Sequence, residues 1–198
     1  MTLLAEDLHR SSPTTNIPID IGVVKEPYYT DKSQAISTTK PNPYPSKPTH
    51  VHLLGYDTLT RFLAPKYYPN HHPPLSALAP FFEAGHRLIV TQRPSSSSQN
   101  VAIGSDPASA DTAEAQAKYL EDLKRGKMGA EGFKAEWADQ ISMVEGSSDA
   151  IGVSSTKVRK AAKRGDWEEV GRLCTPGVAA WVREEALYES DDRGAKMA

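Results

Sequence analysis

The residues most able to do chemistry lie at 152–159, which read Gly-Val-Ser-Ser-Thr-Lys-Val-Arg. The stretch follows a predicted strand and opens a predicted helix. Ser154, Ser155 and Thr156 set three hydroxyls beside the unpaired N–H groups of a helix start, where the helix dipole adds positive potential. Arg159 lies one turn in, and a guanidinium there can fork onto phosphate oxygens. Lys157, Lys160, Lys163 and Arg164 deepen the positive field. In chemical terms this is a polyphosphate cradle. The same residues also fit an ordinary serine N-cap on a basic solvated face, and on residue types alone the two readings stand level.

A second signal is Leu53-Leu54-Gly55-Tyr56-Asp57-Thr58-Leu59, a predicted strand ending in Gly-x-Asp. Ligands of open α/β sheets sit beyond the carboxyl ends of strands. Gly55 would admit a ligand close to the backbone, and Asp57 could accept from ribose hydroxyls or an amine. The plainer reading is a strand running into a turn, with Asp57 or Thr58 capping a helix. Arg93 ends another predicted strand and could reach the same sheet edge, although a surface arginine explains it as simply. His50 and His52 alternate on one strand, while His71 and His72 sit in a proline-rich stretch. None has a carboxylate or cysteine at a familiar ligand spacing, so no metal site is assigned. Cys174 falls on an apolar helical face, where packing is its expected role.

Positioning these residues requires strands and helices in alternation. Four short apolar segments read as buried strands: 19–24, 50–55, 87–91 and 140–144. Asp111 and Glu114 resemble a capping box that opens a helix, with Ala113, Ala117 and Leu120 as its apolar face. Phe133 and Trp137 form an i, i+4 pair. In the last third, Val158, Ala161, Ala162 and Gly165 make a narrow small-residue face. Asp166 and Glu169 form a second capping box, with Val170, Leu173 and Cys174 turned inward. Thr175-Pro176 then starts a third helix, carrying Val178, Trp181 and Val182. Strands alternating with helices predict an α/β fold with a parallel sheet. Residues 37–47, 69–80 and 94–110 read as mobile surface loops, and 189–198 as a polar tail.

Composition sets outer bounds. The chain has 198 residues, with 23 Lys+Arg against 25 Asp+Glu and a net charge of -2. A strongly basic nucleic-acid binder is therefore not the expected class. Cys174 is the single cysteine, so no intrachain disulfide can form. The first residues are acidic where a signal peptide needs basic charge, and no apolar run approaches the roughly 18 residues of a membrane span. The expectation is a cytoplasmic or nuclear protein with no membrane or nucleic-acid partner.

The Ser-Ser-Thr-x-x-Arg helix start resembles the C-terminal signature of adenylyl- and cytidylyltransferases, and the strand-end Gly-x-Asp fits the same superfamily. Two stretches narrow the resemblance. One is His50-Val51-His52-Leu53-Leu54-Gly55-Tyr56-Asp57-Thr58-Leu59-Thr60-Arg61, running on to Pro65-Lys66-Tyr67-Tyr68. The other is Ile19-Asp20-Ile21-Gly22 with Asp31-Lys32. Together they are similar to the fungal nicotinamide mononucleotide adenylyltransferase-like proteins, from about residue 1 to 188. The resemblance implies a Rossmann-like nucleotidyltransferase fold. It implies transfer of AMP from ATP to nicotinamide mononucleotide, giving NAD and pyrophosphate with Mg²⁺. Carried over by motif, Ser154, Ser155, Thr156 and Arg159 would hold the ATP phosphates, and Gly55, Asp57 and Arg93 would contact nucleotide. The family's Gly-x-Phe-x-Pro-x-His-x-Gly-His loop has no counterpart in these residues, so no catalytic residue is assigned. The expectation is a nucleotidyltransferase domain over 1–188 that is incomplete at its N-terminal side and impaired in turnover. The alternatives are a non-catalytic relative that binds nucleotide or protein, or an unstable fragment.

Overall fold

The computed structural model describes residues 1–11, 18–92, 112–146 and 153–188. They fall into two compact units: Val24–Ser148, and Met1–Val23 together with Asp149–Ala198.

The larger unit is built on three parallel strands, β1 (Val51–Gly55), β2 (Arg87–Thr91) and β3 (Ile141–Val144), in the order β1-β2-β3. Leu54 faces Val90 and Met143 across the ladder, and His52 faces Leu88 and Ile141. These residues form the covered face. Val51, Leu53 and Val144 lie on the other face and are exposed, Leu53 to 73 %. Parallel sheets are ordinarily covered on both faces, so the strands' continuous apolar runs predict more burial than one covered face supplies. The expected strand at 19–24 does not form. Ile19, Ile21, Val23 and Val24 are all exposed in irregular backbone. No described strand offers this segment a ladder, and an apolar run without a partner gains nothing from extending.

Helices α2 (Tyr29–Thr38), α3 (Tyr56–Phe62), α4 (Ala79–Glu83) and α5 (Ala113–Lys124) complete this unit. Its core joins Phe62, Phe81, Phe82, Phe133 and Trp137 to Leu88, Val90 and Ile141. Phe82 stacks on Trp137 at 5.2 Å and meets Phe133 edge-on at 5.8 Å. Such pairs contribute about 0.5–1.5 kcal/mol beyond area burial. The reading of 69–80 as a surface loop needs correction. Residues Pro74–Leu78 form a 3₁₀ turn that buries Leu75 and Leu78 completely. A turn running 126–132 holds that segment, with Leu75 N–H donating to Glu131 O at 2.8 Å. Gly132 has φ +93°, and a Cβ there would lie 2.6 Å from the Pro73 ring. Of the other loops, α2 runs to Thr38, so 37–47 begins inside a helix, while 94–110 lies outside the described residues.

Helix α5 is capped by Thr112, whose side chain accepts from Ala115 N–H. Asp111 lies outside the described residues. The buried face of α5 is Gln116 and Leu123, with Ala117 turned to solvent. Phe133 and Trp137 do meet, edge to face at 5.6 Å, but from a loop and a 3₁₀ turn rather than an α-helix.

The smaller unit is helical: α1 (Thr2–Ser11), α6 (Ser155–Lys163), α7 (Trp167–Leu173) and α8 (Pro176–Glu184). Ala161, Ala162, Val170 and Val182 form its core. Asp166 caps α7 by accepting from Glu169 N–H at 3.1 Å. Pro176 opens α8 at its first position, where no N–H is missed. Thr175 makes no side-chain cap; instead Asp7 of α1 reaches across and accepts from Gly177 N–H at 2.7 Å. No helix among the described residues is long and apolar enough to cross a membrane.

Candidate functional site

Ser154 is extended (φ −153°, ψ 149°), and its Oγ accepts from Lys157 N–H at 3.2 Å. The serine is thus a true N-cap, and its O–H proton stays free to donate. Ser155 and Thr156 occupy the first two helical positions, where backbone N–H groups have no intrahelical acceptor. The first turn carries no acidic residue. Arg159 is half-buried, and its Nε is enclosed without a hydrogen-bond partner among the described residues. An enclosed guanidinium N–H without an acceptor is uncommon and suits a site for an external anion. Gly152 lies outside the described residues.

In the larger unit, β1 passes into α3 with no intervening loop. Gly55 serves as the cap residue (φ −85°, ψ 161°), not Asp57 or Thr58, and Asp57 sits in the first turn. Open space surrounds Gly55 where a Cβ would project. Tyr56 between them is 2 % exposed, and its hydroxyl has no partner among the described residues. Burial, with the Asp57 charge beside it, pushes that phenol up to about 12. Tyr56 is not among the residues that motif spacing singles out; a bulky polar ring at a strand's carboxyl end is the one signal for it. Arg93 lies outside the described residues.

Ser154, Ser155, Thr156 and Arg159 therefore come together on the first turns of one helix, and Gly55 and Asp57 at one strand end. The two sets belong to different units.

Three histidines of the larger unit pack together, His86 joining His50 and His52, while His71 and His72 are exposed. His50 and His86 stack at 4.4 Å with nearly parallel rings, and His52 Nε2 pairs with Ser33 Oγ at 2.8 Å. Burial lowers the pKa of all three, that of His52 to about 4. They are neutral aromatic packing at pH 7. Among the described residues, no group of three or more His, Cys, Asp or Glu is placed to hold a metal ion. Burial also raises the Cys174 thiol, which suits packing better than nucleophilic attack.

Parallel strands linked by helices, with a helix beginning directly at a strand's carboxyl end, define a protein of the α/β, Rossmann-like class. Comparison with known proteins narrows this. The chain is 29% identical over 162 residues, 81% of its length, to a Schizosaccharomyces pombe protein named "Putative nicotinamide mononucleotide adenylyltransferase". That alignment covers 56% of the yeast protein, so the chain spans little more than half the length of its curated relative. No family model and no solved structure matches the chain.

Proposed function

We propose that the chain holds a nucleoside triphosphate as part of a nicotinamide-nucleotide adenylyltransferase. Its reaction would transfer AMP from ATP to nicotinamide mononucleotide. A phosphate oxygen of the mononucleotide attacks the α-phosphorus of ATP. The bond from that phosphorus to the bridging oxygen breaks, pyrophosphate leaves and NAD forms. No covalent intermediate on the protein is required, so catalysis is positioning and charge stabilisation. The similarity to the yeast protein of that name carries the reading. The enclosed Arg159 Nε at a capped, acid-free helix start supports it on independent chemical grounds.

In this reading the N–H groups of Ser155 and Thr156, the three hydroxyls and the Arg159 guanidinium bind phosphate oxygens. Gly55 and Asp57 contact nucleotide at the end of β1, with Arg93 a weaker contributor. The described residues offer no metal cage of their own. Mg²⁺ would arrive held mainly by the nucleotide's phosphates, as is usual for that ion.

A second reading is that these 198 residues bind nucleotide without turnover, because no His-x-Gly-His sequence occurs in them. One pair of measurements tests both. Calorimetric titration of ATP should show Arg159→Ala binding at least tenfold weaker, since a charge-assisted hydrogen bond contributes about 1.5–3 kcal/mol. Equal affinities in two folded proteins would remove the cradle. NAD formation should be far below the usual range of roughly 1–10³ per second; a rate inside that range would overturn the second reading.

A further inference from the structure

The larger unit contains a pocket of about 640 Å³ whose lining includes none of the residues assigned to the proposed reaction. Its walls come from α2, from residues 67–71 and from residues 77–86. His86, one of its lining residues, immediately precedes β2. The pocket therefore lies toward the amino ends of the strands. Gly55 and Asp57 are at the carboxyl end of β1, about 16 Å away along a five-residue strand.

The lining is aromatic and carries one carboxylate. Tyr28, Tyr67, Tyr68 and Phe81 are its aromatic lining residues. Tyr68 is held rigidly, its hydroxyl donating to Phe62 O at 2.8 Å, and Phe81 is 1 % exposed. Tyr28 and Tyr67 remain 45 % and 40 % exposed. The Tyr67 ring already attracts a cation, with Lys66 Nζ at 5.3 Å from its centre. Asp31 is the one carboxylate; no lysine or arginine joins it in the lining, and the titratable side chains beside it are the tyrosines, His71 and His86. His86 adds no positive charge: its Nδ1 accepts from His50 N–H at 3.1 Å, which requires the neutral ring. The side-chain amides of Gln34 and Asn70 also line the pocket.

Aromatic faces carry negative quadrupole density and attract cations most strongly when the cation is desolvated. Combined with one carboxylate, amide oxygens and no lysine or arginine, they favour a positive guest and disfavour an anion. The volume is that of a small-molecule site, roughly 300–1,000 Å³. We propose that this pocket binds a small organic cation, of the quaternary-ammonium class, between the tyrosine rings and Asp31.

The test uses the full chain and three probes: choline, its neutral isostere 3,3-dimethylbutan-1-ol, and benzoate. The expected result is choline binding at least tenfold tighter than either of the others, followed by chemical-shift changes at Tyr28, Gln34 and Tyr67. Tyr67→Ala and Asp31→Asn should each weaken choline severalfold. Gln34→Lys, at an exposed helical position, should abolish binding while leaving the circular dichroism unchanged. The proposal is overturned if choline binds no better than the alcohol or benzoate, if no binding is seen at millimolar choline, or if the folded variants bind as the parent does. Arg159 is not in the lining, so a failed ATP titration and a failed choline titration are separate outcomes.

Discussion

The two units keep their cores closed by different means. In the larger one, Phe62, Phe81, Phe82, Phe133 and Trp137 touch edge to face or stacked, and link helices, 3₁₀ turns and strands in one continuous cluster. In the smaller one, the buried cluster is Ala161, Ala162, Val170 and Val182, with Leu173 also buried and Trp167, Val178 and Leu187 only partly so. So little apolar volume leaves stability to close helix approach and to helix ends that are properly satisfied. The Asp7–Gly177 hydrogen bond is such an end: a buried carboxylate on α1 answers an orphan N–H of α8. A core of large rings has stability in reserve for an imperfect cap, and a small cluster of alanine, valine and leucine has less.

The largest effect should come from removing a central ring. Phe82→Ala is expected to cost about 3–5 kcal/mol, and Val182→Ala in the smaller unit only about 1–2 kcal/mol. Denaturant unfolding with residue-resolved hydrogen exchange would separate the two. Equal losses would break the contrast between the cores.

Acid should open the larger unit first. His52 is depressed from 6.5 to about 4, chiefly by burial, and His50 and His86 shift the same way. Between those values the unfolded chain binds the proton that the folded chain refuses. Stability is therefore full above pH 6.5 and falls as pH drops toward 4. The loss from His52 is on the order of 2–3 kcal/mol at pH 4. In the smaller unit, the neighbouring Thr175 hydroxyl, then the Gly177 N–H, the Arg10 charge and the Val178 N–H, hold Asp7 below its usual 3.8 against the opposing effect of burial. Its contribution persists until pH falls below that value. Exchange measured at pH 7 and pH 5 should show loss of protection in β1 and β2 and little change in α8. His52→Gln should flatten the response. Loss of protection in α8 before β1 would contradict this order.

A paired glycine test sharpens the comparison. Gly132→Ala forces a Cβ against Pro73 in a backbone with positive φ, for an expected loss of about 1–3 kcal/mol. Gly177→Ala brings a Cβ to 2.9 Å from an Asp7 carboxylate oxygen without backbone strain. It should cost less, and the loss should be confined to α1 and α8. The double variant Asp7→Ala with Gly177→Ala should lose no more than Asp7→Ala alone, since both act on one contact. Additive losses would show that the clasp is not what Gly177 protects.

Local chemistry is legible in the residues themselves. The strands β1, β2 and β3 show as short β-branched and aliphatic runs, and the parallel sheet follows from their alternation with helices. Ser154 and Asp166 announce their caps through hydroxyl or carboxylate spacing, because a cap is a contact between residues three apart. Pro176 likewise marks the first turn of α8. Features that need a distant partner are not legible in this way. Ile19–Asp20–Ile21 has a strand's composition but no described strand to pair with. Leu53 and Leu54 look alike in sequence, yet one is exposed and the other buried, because only one face of the sheet is covered. The 69–80 stretch resembles a loop in its prolines, yet Leu75 and Leu78 are buried in the aromatic core, and the 126–132 turn holds the segment through Glu131 O. His86 joins His50 across 36 residues, and Asp7 meets Gly177 across 170. The sequence by itself determined the caps at Ser154 and Asp166, the proline start of α8 and the three strands, since those depend on neighbours within one helical turn or one strand. The tertiary structure alone decided which apolar faces are covered, which histidines stack and which carboxylate holds a helix end, since burial and desolvation depend on groups that are far apart along the chain.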